Sequence, residues 1–131
     1  MHGAAQMLRT LSKLSLLSVA VVGLVAQPSS AHHSFSMFDL KKDMTIKGTV
    51  REFQWTNPHV FLEVAVPNGR GGTANWSIEA GAPNILARKG WKRSSFQVGD
   101  QVEVELHPLR SGAPGGALVS ARKPGGQELR G

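Results

Sequence analysis

From Met44 the chain alternates with period two, and near Arg51 the alternation changes phase. Met44, Ile46, Gly48 and Val50 fall on one face and Thr45, Lys47 and Thr49 on the other, the pattern of a half-buried strand. The next large apolar residues, Phe53 and Trp55, have the opposite parity. A regular strand cannot present both sets to one core, because a one-residue change of phase turns every side chain to the other face. The pattern therefore predicts a bulge or sharp bend at Arg51–Glu52, with Gly48 easing the curvature before it. Long, bent first strands of this sort help to close small barrels.

Further on, Trp55-Thr56-Asn57-Pro58-His59 interrupts the alternation, since Asn-Pro favours a turn and Pro58 donates no ladder hydrogen bond. A second strand over 60–66 and a third over about 73–79 flank the glycine-rich hairpin connection at 67–72. Pro83 suits the first position of a short helix over about 83–89, with Ile85 and Leu86 inward and Gly90 as its C-terminal cap. Trp91 and Phe96 are expected to pack beneath the connection that follows. Val102, Val104 and Leu106 alternate with Glu103 and Glu105 in a fourth strand. A polar loop over 107–116 leads to a fifth strand at about 117–122. Strand, strand, strand, short helix, strand, strand is the order of a five-stranded OB-like Greek-key barrel. A different all-β barrel or sandwich remains the alternative, because element order does not establish pairing.

The first 31 residues read as a signal peptide. Arg9 and Lys13 precede an apolar run from Leu14 to Ala26, and Pro28-Ser29-Ser30-Ala31 ends it with small residues. The run is shorter than the roughly 20 residues a spanning helix needs, so cleavage is preferred over anchorage. Cleavage after Ala31 predicts a mature chain that begins at His32; cleavage after Ser30 would place His33 third. The organisation is then a leader at 1–31, a lead-in at 32–43 anchored by Phe35, Met37 and Phe38, the barrel at 44–123, and a flexible tail at 124–131. A periplasmic or secreted location follows, with no transmembrane segment in the mature chain.

Loss of the leader removes two of the 15 basic residues and none of the 9 acidic ones, so the net charge falls from +6 to +4. Export and this modest charge argue against nucleic acid as a partner. The chain has no cysteine. Its domain is therefore held by packing, a ligand or a partner rather than by disulfides, and thiol catalysis and cysteine-ligated metals are excluded.

The segments AHHSF at 31–35, FQWTNPH at 53–59, WSIE at 76–79, LARKGW at 86–91 and VGDQVEVELHPLRSG at 98–112, with Gly115-Gly116, resemble a family of small exported bacterial proteins described as a domain of unknown function. The resemblance spans nearly all of residues 31–126. It implies export and a single domain, and it implies no reaction.

Chemistry in an OB-like barrel is expected beside the first and fourth inter-strand loops, which here hold His59 and His107. His32 and His33 sit at the mature N-terminus. A first-position histidine chelates through its α-amine and ring, and one or two further imidazoles complete an all-nitrogen set suited to Cu(II). The candidate metal ligands are thus His32, His33, His59 and His107, with copper as the specific cofactor. A solvated N-terminus and two turn histidines beside prolines would explain the same residues without a metal. Trp55, Asn57 and Arg110 form a second candidate surface, for an organic ligand. The corresponding functions are a copper-binding accessory protein, or a metal-free module recognising a saccharide, peptide or exported protein partner. A copper-dependent oxidoreductase is the weaker third. No catalytic residue is assigned: the serines lack a nucleophile-elbow context, and Glu103 and Glu105 read as a solubilising face.

Overall fold

The long first strand, β1 (Met44–Gln54), serves two partners in turn. Its first half pairs with β4 (Gln101–Pro108) and its second half with β2 (Phe61–Pro67), the exchange occurring at Thr49, which faces both Gln101 and Ala65. The register with β2 then slips between Val50 and Glu52, so Arg51 is the extra residue. This bulge restores phase as the sequence requires: Val50 faces Val64, and Phe53 faces Leu62 on the same side of the sheet. These contacts come from a computed structural model that describes residues 35–131. The leader, His32 and His33 lie outside the described residues.

The remaining elements are β3 (Thr73–Glu79), helix α1 (Pro83–Arg88), β5 (Gly115–Arg122) and β6 (Leu129–Arg130), preceded by a 3₁₀ turn at Phe35–Met37. Strand order is β3-β2-β1-β4-β5-β6, and a parallel β3–β5 pairing closes five strands into a mixed barrel. The fold is the OB-like barrel the element order predicts, with one strand added outside it.

Inside the barrel lie Val50, Leu62, Val64, Ile78, Val102, Val104 and Leu106, all buried. Lys47 is exposed on the outer face, as its parity requires. Glu103 and Glu105 also face outward but are half-covered, because their cross-strand neighbours lie over them. Lys47 Nζ is 3.0 Å and Arg122 Nη2 2.7 Å from the Glu103 carboxylate, and Ser120 Oγ donates to Glu105 at 3.4 Å. The Arg122 and Lys47 hydrogen bonds hold Glu103 below its ordinary carboxylate pKa. The backbone N–H of Gln97 and the Lys123 ammonium do the same for Asp100.

Helix α1 begins with Pro83, and the turn after it closes through Gly90 at φ +93°. Only Leu86 is buried. Ile85, expected inward, is 49% exposed. Consecutive helix residues point about 100° apart, so a helix of one and a half turns that docks through Leu86 leaves its neighbour outside. After the helix, Trp91 and Phe96 are buried against Phe53, with ring centroids 6.2 and 5.6 Å from it. Trp76 is half-buried against the core, in register with Ile78.

Three expectations need correction. The glycine-rich end does not simply trail off: β6 pairs Leu129 with Ala121 and Arg130 with Ser120, and the Trp91 indole N–H donates to the Arg130 carbonyl at 2.9 Å. Leu129 supplies the apolar contact and Trp91 the polar one, neither visible from local composition. Of the three lead-in anchors only Phe38 is buried, bridged to Leu109, while Phe35 and Met37 are exposed. His107 belongs to β4 rather than to a loop, since the β4–β5 ladder continues to the Pro108–Gly116 pair.

Candidate functional site

His59 ends the β1–β2 connection, after the cis Asn57–Pro58 bond and just before the ladder that joins Val60 to Ala80 and Gly81. Thr56 Oγ1 donates to the His59 carbonyl at 3.1 Å and fixes the backbone there. The His59 ring lies 3.1 Å through Nδ1 from the Ala80 carbonyl oxygen and 3.6 Å from Glu79 Oε1. Both neighbours are acceptors, so in the neutral ring Nδ1 carries the proton and Nε2 keeps the lone pair. A backbone carbonyl or carboxylate at one ring nitrogen is the arrangement that orients a metal-binding histidine through the other.

His107 repeats this chemistry on β4. Its Nδ1 lies 3.1 Å from the Lys42 carbonyl oxygen and 3.1 Å from Asp43 Oδ1. The register places both histidines at one end of the barrel: Ala117 on β5 has Glu79 as its partner on one side and His107 on the other. Two strand spacings, about 9–10 Å, separate those flanking backbones. Each imidazole is committed to its own carbonyl and carboxylate. Among the described residues, no three histidine or acidic side chains gather into a group that could hold a metal ion.

A cleft of about 270 Å³ opens beside His59 and Glu79. Phe35, Ile85, Ala117 and Leu118 contribute apolar wall, and Lys89 stands at its margin, donating to the Gly131 carbonyl. The exposed Ile85 of α1 and the exposed Phe35 of the lead-in thus share one lining. Sequence reasoning missed Glu79, Ile85 and Phe35 as site residues. The only signal was the outward parity of Glu79 at the end of its strand; the rest depends on where the helix and lead-in dock. A larger groove of about 380 Å³ runs past Lys47, Glu103, Arg122 and Lys123, but these charges are already paired with one another or with Asp100.

The second candidate surface does not assemble as expected. Trp55 is half-buried against the core, 5.9 Å from the Phe53 ring, and Asn57 is exposed at the loop tip. Arg110 turns instead to the lead-in. Its Nε donates to the Ser36 carbonyl at 3.1 Å, its backbone N–H to the Met37 carbonyl at 2.9 Å, and Nη1 lies 4.0 Å from Asp39. No helix among the described residues is long and apolar enough to cross a membrane.

A family model described as a family of unknown function (DUF6152) matches residues 20–119. No curated protein matches the chain. Among solved structures, the mitochondrial single-stranded DNA binding protein Rim1 of S. cerevisiae is similar in two crystal forms. Form 2 is 17% identical with a TM-score of 0.48, covering 63% of this chain and 92% of that one. Form 1 is 19% identical with a TM-score of 0.45, covering 63% and 91%. Likeness at this level carries no argument about ligand or partner.

Proposed function

The chain belongs to the DUF6152 family of unknown function, and from that premise we propose that it is an exported copper-binding accessory protein whose ion sits at the His59 cleft. One observation carries the reading: Phe35, two residues after His33, lines the same cleft as His59 and Glu79. An extended chain covers at most about 3.6 Å per residue, so His33 lies within roughly 7 Å and His32 within roughly 11 Å of Phe35 along the chain. With cleavage after Ala31, His32 offers its α-amine and ring, and His59 offers Nε2. Nitrogen donors of this kind favour Cu(II) over Zn(II). His107 stands outside the set and serves to hold Lys42 and Asp43 against β4.

Mass spectrometry of the mature protein, reading its N-terminus and metal content, tests the premise directly. Copper titration of the mature protein and of His59→Ala and His107→Ala then tests the ligand set. His59→Ala should weaken binding by more than the roughly 10-fold that losing even a ligand's hydrogen-bond partner costs, and His107→Ala should leave it unchanged. Unchanged binding in His59→Ala would mean a purely terminal site, such as the His33-third arrangement. No binding at micromolar copper by the intact protein would refute the proposal in favour of a metal-free module.

A further inference from the structure

Residues 80–99 carry four cations, Arg88, Lys89, Lys92 and Arg93, and no carboxylate. The fold leaves all four outside because it anchors this segment through other side chains. Leu86 and Trp91 are buried, and the Trp91 indole N–H is held by the Arg130 carbonyl, so the basic residues between and just beyond these anchors face water. Lys89 donates to the Gly131 carbonyl. Arg88, Lys92 and Arg93 have no carboxylate partner among the described residues. Of the carboxylates on neighbouring elements, Glu79 is half-buried beside His59, Asp100 pairs with Lys123 and Glu128 with Arg130.

Exposed apolar side chains stand with these cations. Ile85 precedes Arg88 by three residues and Lys89 by four, the spacing that places side chains on one helix face. It is 49% exposed, and Phe35, 62% exposed, lines the His59 cleft together with Ile85 and Lys89. One residue past Lys89, Gly90 begins the wall of a second cleft, of about 280 Å³, which Lys92 and Leu129 also line. We propose that this face, made by Phe35, Ile85, Arg88, Lys89, Lys92 and Arg93, docks on an anionic lipid bilayer. Charge complementarity selects an anionic partner. The apolar pair selects a bilayer: a soluble polyanion would leave Phe35 and Ile85 in water, whereas a lipid interface takes apolar side chains below its headgroups and keeps the cations among its phosphates. The inference goes beyond the copper reading and does not use it, since none of these six residues is a donor in that site.

Flotation of the mature protein with vesicles, in the presence of a chelator, tests the proposal. Vesicles of equal parts phosphatidylglycerol and phosphatidylcholine should bind the protein, and vesicles of phosphatidylcholine alone should not. Arg88→Gln, Lys92→Gln and Arg93→Gln should each lower the partition coefficient about fivefold, and together roughly a hundredfold, as loss of basic residues at an anionic surface does. Ile85→Ser should lower it about fivefold through lost apolar burial. Arg70→Gln removes the same single charge from the β2–β3 hairpin, about 20 Å from Glu79 at the other end of β3, and should change nothing. These side chains are all exposed, so the thermal midpoint should hold in every variant. Because the chain has no cysteine, a fluorophore on Ile85→Cys reports one position. Its emission should shift to the blue on the anionic vesicles and be quenched by brominated acyl chains. Absence of binding to the anionic vesicles, equal binding to both compositions, or an Arg70→Gln loss equal to that of Arg88→Gln overturns the proposal. Salt-sensitive binding that ignores Ile85→Ser and leaves the fluorophore unshifted also overturns it, in favour of a soluble polyanion or an acidic protein.

Discussion

Replacing Gly48 with alanine should destabilise the protein by overpacking β1 against β2. Gly48 is buried one residue before β1 exchanges β4 for β2. A Cβ there would lie 2.8 Å from Val64 Cγ1 and 2.9 Å from the Ala65 carbonyl carbon, with the Ala65 oxygen nearer still. Val64 can move aside; the Ala65 carbonyl cannot, since Ala65 is itself in register with Thr49. Relief therefore requires β1 and β2 to part by more than about half an ångström, enough to forfeit much of the dispersion energy between the two strands. Overpacking of this kind costs about 1–3 kcal/mol, and a backbone obstacle puts the expectation near the upper figure. Urea unfolding of residues 32–131 measures it: at an m-value of about 1–3 kcal/mol/M, a loss of about 3 kcal/mol lowers the midpoint by roughly 1–3 M. Gly81→Ala is the control. Its Cβ would meet Leu86 at an ordinary 3.7 Å, so reduced freedom of the unfolded chain should make it neutral or stabilising by up to about 1 kcal/mol. If Gly48→Ala costs no more than Gly81→Ala, the close crossing of β1 over β2 is wrong.

Deleting Arg51, the extra residue of the bulge, should leave Phe53 in phase with Val50 and opposite Leu62, so the aromatic cluster with Trp91 and Phe96 should survive; loss of the aromatic-cluster near-UV circular dichroism would contradict the register. Truncation after Gly125 should expose the Trp91 indole N–H to exchange and cost about 1–3 kcal/mol for its lost partner, checked by hydrogen exchange against the full chain. Glu103 sits below its ordinary value of 4.5, so its contribution to stability is present above that pH and is lost as pH falls through the lower folded-state value. Glu103→Gln should accordingly flatten the fall in urea midpoint between neutral and acid pH, and an unchanged slope would show that Arg122 and Lys47 do not act on it.

The barrel was legible because its information is periodic and local. Alternation in 44–50, 60–66, 73–79 and 102–106 identified the inward residues, and the phase change at Arg51 required a bulge whatever strand lay opposite. The short helix was legible from Pro83 and Gly90, whose backbone preferences are intrinsic. By contrast, β6 depends on what Leu129 and the Arg130 carbonyl meet, and its glycine-rich approach predicts only a turn. Ile85 shows the same limit: apolar character says that a side chain gains by leaving water, not whether a six-residue helix has a face left to bury it. The candidate site divides in the same way. Histidine was recognisable by type at 59 and 107, but its chemistry was decided by carbonyls and carboxylates that the fold brings to Nδ1, from Ala80 and Glu79 in one case and Lys42 and Asp43 in the other. Arg110 looked like a ligand group from sequence and became a clamp once the lead-in, separated from it by some seventy residues, was docked beside it. Side-chain type and strand phase are properties of the chain itself; which groups share a cleft is set by long-range closure, here the parallel β3–β5 pairing that brings Glu79 and His107 to either side of Ala117.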